Sequence, residues 1–135
     1  HKQSVSFCVK RADGSIVSEG RVRARRALLC AWALALPGPW EGAMEATLFS
    51  GWIYDVLQPY ASKLEMAHPL LLKAIVAGKK KSDRLDARTI ADLVRCHLVP
   101  ACYVAPAEMR ERRRLLRYRT MVVRQRRPTR SWRTC

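Results

Sequence analysis

One stretch of the sequence organises the rest of the chain: Lys79-Lys80-Lys81-Ser82-Asp83-Arg84-Leu85-Asp86-Ala87-Arg88. Behind it, apolar residues recur at helical spacing, at Ile90, Leu93, Val94 and Leu98, and they predict an amphipathic helix. Positions 83, 86, 90 and 93 fall on one stripe of that helix. Asp83 and Asp86 therefore continue the face that should pack on the rest of the domain. Acids are unusual on such a face unless a partner needs them there, and a cation is the obvious candidate.

The two aspartates also have a purely structural interpretation. Asp83 as N-cap with Asp86 in the first turn is a good helix start, because anions there are favoured by about 0.3–1 kcal/mol. On spacing alone, the structural and the functional interpretation stand even. The lysines at 79–81 favour the functional one, because they would attract phosphate to the same place. Carboxylates beside phosphate oxygens indicate a bridging Mg²⁺ ion.

The charge balance points to a polyanionic partner. The 135 residues include 26 Lys and Arg against 11 Asp and Glu, a formal net charge of +15, and nucleic acid fits such an excess better than a membrane does. The longest apolar run, at 27–36, is too short to span a bilayer, and no signal peptide is visible. The five cysteines show no Cys-x-x-Cys spacing, which favours reduced thiols in a cytosolic protein.

The order of the predicted elements favours an α/β domain. A hairpin of strands at 4–9 and 15–18 turns at Asp13-Gly14, and a weakly marked third strand lies at 21–23. The elements that follow alternate: helix 25–36, strand 40–45, helix 48–58 with Thr47 as its N-cap, strand 63–67 and helix 69–77. This order predicts a mixed sheet with flanking helices in a domain at 1–104.

A long basic helix is predicted at 105–127, and residues 128–135 have no pattern that we can interpret. Nine arginines between 110 and 127 face only Glu108 and Glu111, and apolar residues recur among them at 3–4 spacing. This pattern is typical of an amphipathic helix or the start of a coiled coil. A nucleic-acid contact, a partner helix and a solvated charged face are the alternatives. We assign nucleic-acid binding to the following basic residues: Lys79, Lys80, Lys81, Arg84, Arg88, Arg110, Arg113, Arg114, Arg117 and Arg124.

A third acid, Glu45, stands at the end of a predicted strand in Ala43-Met44-Glu45-Ala46-Thr47. In α/β sheets, ligands bind at the carboxyl ends of the strands, so Glu45 is a candidate to act with Asp83 and Asp86. The alternative is an ordinary acid in front of a helix.

Three segments together carry a family resemblance: Met44-Glu45-Ala46-Thr47, the run from Gly78 to Ala87, and the run from Glu111 to Arg119. They resemble the N-terminal domain of the DEDD transposases, the insertion-sequence one-ten family that includes the Piv-type DNA invertases. The opening His1-Lys2 also fits, because the family's first strand carries an Asp-x-His-Lys motif. The resemblance covers about residues 1 to 125.

The resemblance implies a ribonuclease-H-like, RuvC-type fold whose four acids hold Mg²⁺ or Mn²⁺ for DNA strand cleavage and joining. By position, Glu45 would be the glutamate and Asp83 and Asp86 the last two aspartates, all three both catalytic and metal-binding. The first aspartate would stand two residues before His1. The resemblance further implies DNA and a structured RNA as partners, a homo-oligomeric full-length protein, and the nucleoid of the bacterial cytoplasm as its location.

The chain departs from the family pattern at three places. Leu48 stands where glycine usually follows Glu-Ala-Thr, residues 126–135 do not resemble the expected helix continuation, and the serine-bearing C-terminal domain is not included. A frameshift in a decaying element is our hypothesis for the ending. We expect this chain by itself to be inactive, since the first aspartate and the serine domain are missing. A basic nucleic-acid-binding fragment without chemistry and a Holliday-junction-resolvase-like nuclease are the alternatives.

Overall fold

The computed structural model describes residues 3–47, 49–75 and 83–126, and we number the elements in chain order. The strands are β1 (Ser4–Lys10), β2 (Ile16–Arg23), β3 (Glu41–Glu45) and β4 (Lys63–Ala67). The helices are α1 (Arg26–Ala35), α2 (Ser50–Leu57), α3 (Pro69–Ile75), α4 (Asp83–Arg95) and α5 (Ala107–Arg126), and a 3-10 turn at Gln58–Tyr60 follows α2. The mixed α/β class predicted from the sequence is confirmed.

Strands β1 and β2 form an antiparallel hairpin, in which Ser4 pairs with Arg23 and Cys8 with Glu19. The hairpin turns at Asp13-Gly14, where Gly14 adopts the left-handed φ of 88° that favours glycine. The backbone N–H of Ser15 donates to Asp13 Oδ1 at 2.8 Å, and hydrogen bonds from Ser15 hold the pKa of Asp13 below its ordinary value. The separate third strand predicted at 21–23 is wrong. Those residues continue β2, because no turn interrupts the ladder there.

Strands β3 and β4 form a parallel pair, with Glu41 opposite Lys63 and Glu45 opposite Ala67. The single mixed sheet that the sequence predicts is, in the described residues, two separate two-stranded sheets. Helix α4 contacts both β1 and β3. It therefore joins the two sheets through side chains, where a continuous hydrogen-bond ladder was expected.

A first hydrophobic core lies where α1 and α2 cover strands from both sheets. Its buried residues are Leu29, Ala33, Ile53, Val56 and Leu57, and half-buried side chains from β1 to β4 pack against them: Val5, Val22, Met44 and Leu64. Aromatic rings extend this core, with ring centroids 5.1 Å apart for Phe7 and Trp32 and 6.3 Å apart for Trp32 and Trp40. The apolar stripe of α1 thus holds both sheets against one helical layer.

A second, smaller core forms around α4. Ala67 of β4, Leu72 of α3 and Leu93 of α4 are buried together, and Ile90 and Val99 pack against them. The two cores use different residues of β4, since Leu64 belongs to the first and Ala67 to the second. Helices therefore cover both faces of the β3–β4 pair.

The start of α2 differs from the prediction. Thr47 is not its N-cap, because the helix begins at Ser50 with Phe49 in the capping position and no side-chain cap. Instead, the hydroxyl of Ser50 accepts the backbone N–H of Thr47 and donates to the carbonyl of Thr47, both at 2.9 Å. These bonds hold the chain that leads from β3 into α2.

Helix α5 belongs to a second compact unit, Ala105–Cys135, separate from the unit His1–Val104. It runs for 20 residues, and Leu115, Leu116 and Tyr118 are each at least 60% exposed. Arg112 pairs with Glu108 one turn earlier at 2.5 Å. None of the described helices combines the length and the apolar character that crossing a bilayer requires.

The first core makes a quantitative prediction. Leu29 is fully buried, so Leu29→Ala should lower the free energy of unfolding by about 2–5 kcal/mol through lost burial and a cavity. Leu34 lies on the same helix but is 69% exposed, and Leu34→Ala should change it by less than about 0.5 kcal/mol. Urea unfolding measures both, and equal effects would contradict this description of the core.

Candidate metal and nucleic-acid site

The register of β3 and β4 determines which face Glu45 occupies. Residues that pair across two strands project to the same side of a sheet, and Glu45 pairs with Ala67. Ala67 is 1% exposed and packs against Leu93 of α4, whereas the preceding Met44 packs in the core under α1 and α2. Glu45 is therefore half-buried on the face that α4 covers, at the carboxyl end of its strand.

Helix α4 carries Asp86 on the stripe that meets this face. Asp86, Ile90 and Leu93 stand at i, i+4 and i+7, so they lie one above the other along the helix. Ile90 and Leu93 pack around Ala67, and Asp86, which is half-buried, follows them one turn nearer the amino end of α4. The register of the strands and the spacing along α4 together predict that Glu45 and Asp86 share one face of the β3–β4 pair. Asp83 is the first residue of α4, and its side chain lies outside the described set.

The chemistry of these donors fits a hard divalent cation. Mg²⁺ prefers oxygen ligands and is typically held by one or two carboxylates together with water and substrate oxygens. Among the side chains that the structure describes, no three His, Cys, Asp or Glu residues form a group that could hold a metal ion. Of the three acids predicted to bind metal, Glu45 and Asp86 have side chains that the structure describes, and Asp83 does not.

The opposite flank of α4 faces the hairpin. Arg88 donates from Nε to one carboxylate oxygen of Glu19 at 2.7 Å and from Nη2 to the other at 2.8 Å. One turn later, Asp92 Oδ1 accepts the Lys10 ammonium at 2.6 Å. We expected Arg88 to contact nucleic acid, whereas its guanidinium here is bonded to β2.

These contacts also fix the direction of α4 relative to β1. Glu19 pairs with Cys8 in the hairpin, so the contacts on α4 advance from Arg88 to Asp92 as β1 advances from Cys8 to Lys10. Further on, the Arg95 side chain lies beside the turn, where a Cβ added to Gly14 would stand 3.5 Å from its Nε. Strand β1 and α4 therefore run in the same direction, and their amino ends lie at the same end of the unit.

The predicted nucleic-acid residues are distributed over three parts of the chain. Lys79, Lys80 and Lys81 lie outside the described residues, as does the side chain of Arg84. Four of the five arginines assigned on α5 are exposed and Arg110 is half-buried, the set being Arg110, Arg113, Arg114, Arg117 and Arg124. Arg114 approaches Glu111 only at 3.9 Å. Helix α5 thus carries exposed positive charge along much of its length.

Glu19 and Lys10 contact α4 through Arg88 and Asp92, and the sequence did not predict these contacts. Glu19 is the acid of a strand that otherwise carries Arg21 and Arg23, and Lys10 ends a strand of small and apolar side chains. Each of the two residues differs in charge from its neighbours along the strand. The local sequence does not indicate which residue it contacts, because Glu19 and Arg88 are 69 residues apart.

Comparison with known protein families gives a match over nearly the whole chain. A family model described as a transposase, that of the DEDD transposases of the insertion-sequence one-ten group, matches residues 1–131. No curated protein and no solved structure matches the chain significantly.

The packing beneath the site can be tested by overfilling it. Ala67→Leu inserts three carbons between β4 and Leu93, and should lower the free energy of unfolding by about 1–3 kcal/mol. Ala35→Leu makes the same change at an exposed position on α1 and should stay within about 0.5 kcal/mol of the wild type. Equal values in urea unfolding would show that α4 does not press on β4 at Ala67.

Proposed function

Because the chain belongs to the DEDD transposases of the insertion-sequence one-ten family, we propose that it is the metal-dependent N-terminal domain of a DNA transposase or site-specific recombinase. The proposal includes a ribonuclease-H-like, RuvC-type fold. The observation that supports it is that Glu45 ends β3 opposite Ala67, while α4 packs on Ala67 through Ile90 and Leu93, the stripe on which Asp86 also stands.

In this proposal Glu45, Asp83 and Asp86 hold Mg²⁺ or Mn²⁺. Such ions stabilise the attacking and leaving oxygens when a phosphodiester bond is cut or joined. The residues of this chain provide the placement: Glu45 is fixed by a paired strand, and Asp86 by a helix that packs through Ile90 and Leu93. Sites built on paired strands and packed helices are held more accurately than sites on loops.

A fourth acid, expected two residues before His1, is compatible with the direction of the elements. The amino end of β1 lies at the same end of the unit as the amino end of α4, because Arg88 and Asp92 contact the hairpin in parallel order. An aspartate just ahead of β1 would thus approach the end of α4 that carries Asp83 and Asp86.

We propose DNA as the principal partner and α5 as its main described contact surface. The exposed arginines of α5 would pair with phosphates, which binds DNA of any sequence and makes the affinity depend on salt. Lys79, Lys80, Lys81 and Arg84 are further proposed DNA contacts, because they adjoin Asp83 and Asp86 in the sequence. By resemblance to the family, the proposal also includes a structured RNA, a homo-oligomeric full-length protein, and a place at the nucleoid of the bacterial cytoplasm.

The metal assignment predicts a selective loss of Mn²⁺ binding. Glu45→Gln and Asp86→Asn each remove a charged oxygen ligand and should weaken Mn²⁺ affinity at least about tenfold. Asp92→Asn is the matched control, since Asp92 lies on the other flank of α4, bonded to Lys10. Electron paramagnetic resonance of free Mn²⁺ measures the three affinities. Loss of binding in Asp92→Asn alone, or in none of the variants, would contradict the assignment.

The DNA assignment predicts a change in salt dependence. Arg117→Gln with Arg124→Gln should make the slope of log affinity against log salt less steep by about 2, because two phosphate contacts are lost. Arg112→Gln is the control, because Glu108 already pairs with that guanidinium. Fluorescence anisotropy with a DNA duplex at several salt concentrations gives the slopes, and an unchanged slope in the double variant would exclude these arginines.

A binding module without chemistry remains a second candidate, which the exposed charge of α5 favours. The two experiments separate the candidates. Such a module would keep its salt-dependent DNA binding and show no Mn²⁺ binding that depends on Glu45 or Asp86. A resolvase-like nuclease would instead show both the metal site and a preference for four-way junctions over duplex DNA.

A further inference from the structure

We propose that Glu19 and Arg88 are positioning residues, whose ion pair holds the amino-terminal half of α4 against the hairpin and thereby sets the metal affinity of the acids on that helix. This inference rests on the proposed function and assigns Arg88 a role different from phosphate binding. The pair does not touch the proposed ligands. It acts through the placement of α4.

The geometry of the pair is that of a specific contact. Two parallel N–H···O bonds of 2.7 and 2.8 Å join the guanidinium plane to both oxygens of the carboxylate. Such bidentate pairs constrain orientation as well as distance. They also join residues from elements that are distant in the chain, so the contact fixes α4 against β2.

Burial makes Arg88 a poor phosphate ligand. The Glu19 side chain is only 15% exposed, against 37% for Arg88. A phosphate that captured the guanidinium would have to break both of these bonds to a carboxylate that is largely desolvated, which is unfavourable. The guanidinium is therefore better suited to hold α4 than to leave it for DNA.

The position of the pair along α4 explains why it would affect the acids. Arg88 is two residues beyond Asp86, about 3 Å along the helix axis. The Lys10–Asp92 pair joins the same helix to the same hairpin, but it lies about 9 Å from Asp86 along the axis, and the Asp92 side chain is 46% exposed. The first pair thus holds α4 within one turn of Asp86, in the amino-terminal half of the helix, and the second holds the carboxyl-terminal half.

The test compares these two pairs in the 135-residue chain, with Mn²⁺ as the probe. Glu19→Gln removes the charge with little change of shape, and Arg88→Lys keeps the charge but loses the bidentate geometry. Each should weaken Mn²⁺ affinity about tenfold. The exchange Glu19→Arg with Arg88→Glu should restore most of that loss. Asp92→Asn should leave the affinity within about twofold, and thermal unfolding of every variant records the accompanying change in stability.

The outcomes separate the inference from the proposed function. If the wild type binds Mn²⁺, Asp86→Asn abolishes binding and Glu19→Gln has no effect, the positioning role is wrong while the metal site stands. An equal loss of affinity in Glu19→Gln and Asp92→Asn would also overturn it, since a general loosening of the helix would then suffice. If the wild type binds no Mn²⁺, the metal site itself is refuted and the inference falls with it.

Discussion

The placement of α4 is the constraint on which the rest of the larger unit depends. The two flanks of α4 make different kinds of interaction. On one flank, Arg88 and Asp92 form ion pairs with the hairpin, and on the other, Ile90 and Leu93 pack against Ala67 of β4. The two sheets have no hydrogen-bonded strand in common among the described residues. A helix with two such flanks can hold two small sheets together because each flank is complementary to only one of them.

This division of the helix surface also explains how acids are tolerated in a packed interface. Asp86 lies one turn before Ile90, so the stripe of α4 that is apolar at Ile90 and Leu93 becomes polar toward the amino end of the helix. Glu45 reaches the same face from the end of β3, where the strand stops pairing. In the proposed function, a divalent cation bound to these half-buried carboxylates would compensate their negative charge.

Hydrophobic periodicity predicted most of the described elements, because strand and helix spacing are local properties: β3, β4 and α1 lie within one residue of their predicted bounds. The stripe through positions 86, 90 and 93 was predicted in the same way. Long-range relations were not accessible. The bond between Glu19 and Arg88 links residues whose local sequences carry no sign of each other, and the division into two sheets depends on how α4 packs. The predicted N-cap at Thr47 is wrong for a local reason. The hydroxyl of Ser50 bonds to the backbone N–H and the carbonyl of Thr47, so the side chain that stabilises this turn is that of Ser50.

The central claim is that Glu45 and Asp86 face one common cation position. The most direct measurement is a Mn²⁺ titration of the isotope-labelled chain followed by nuclear magnetic resonance, because the ion broadens the signals of nearby amides. The amide signals of both acidic segments should broaden at the same Mn²⁺ concentration: those of Glu45 and Ala46, and those of Asp86 and Ala87. The amide signals of Leu29 and Ala33, in the first hydrophobic core, should remain sharp. Broadening at only one of the two acidic segments, or at the two segments with different affinities, would contradict the account.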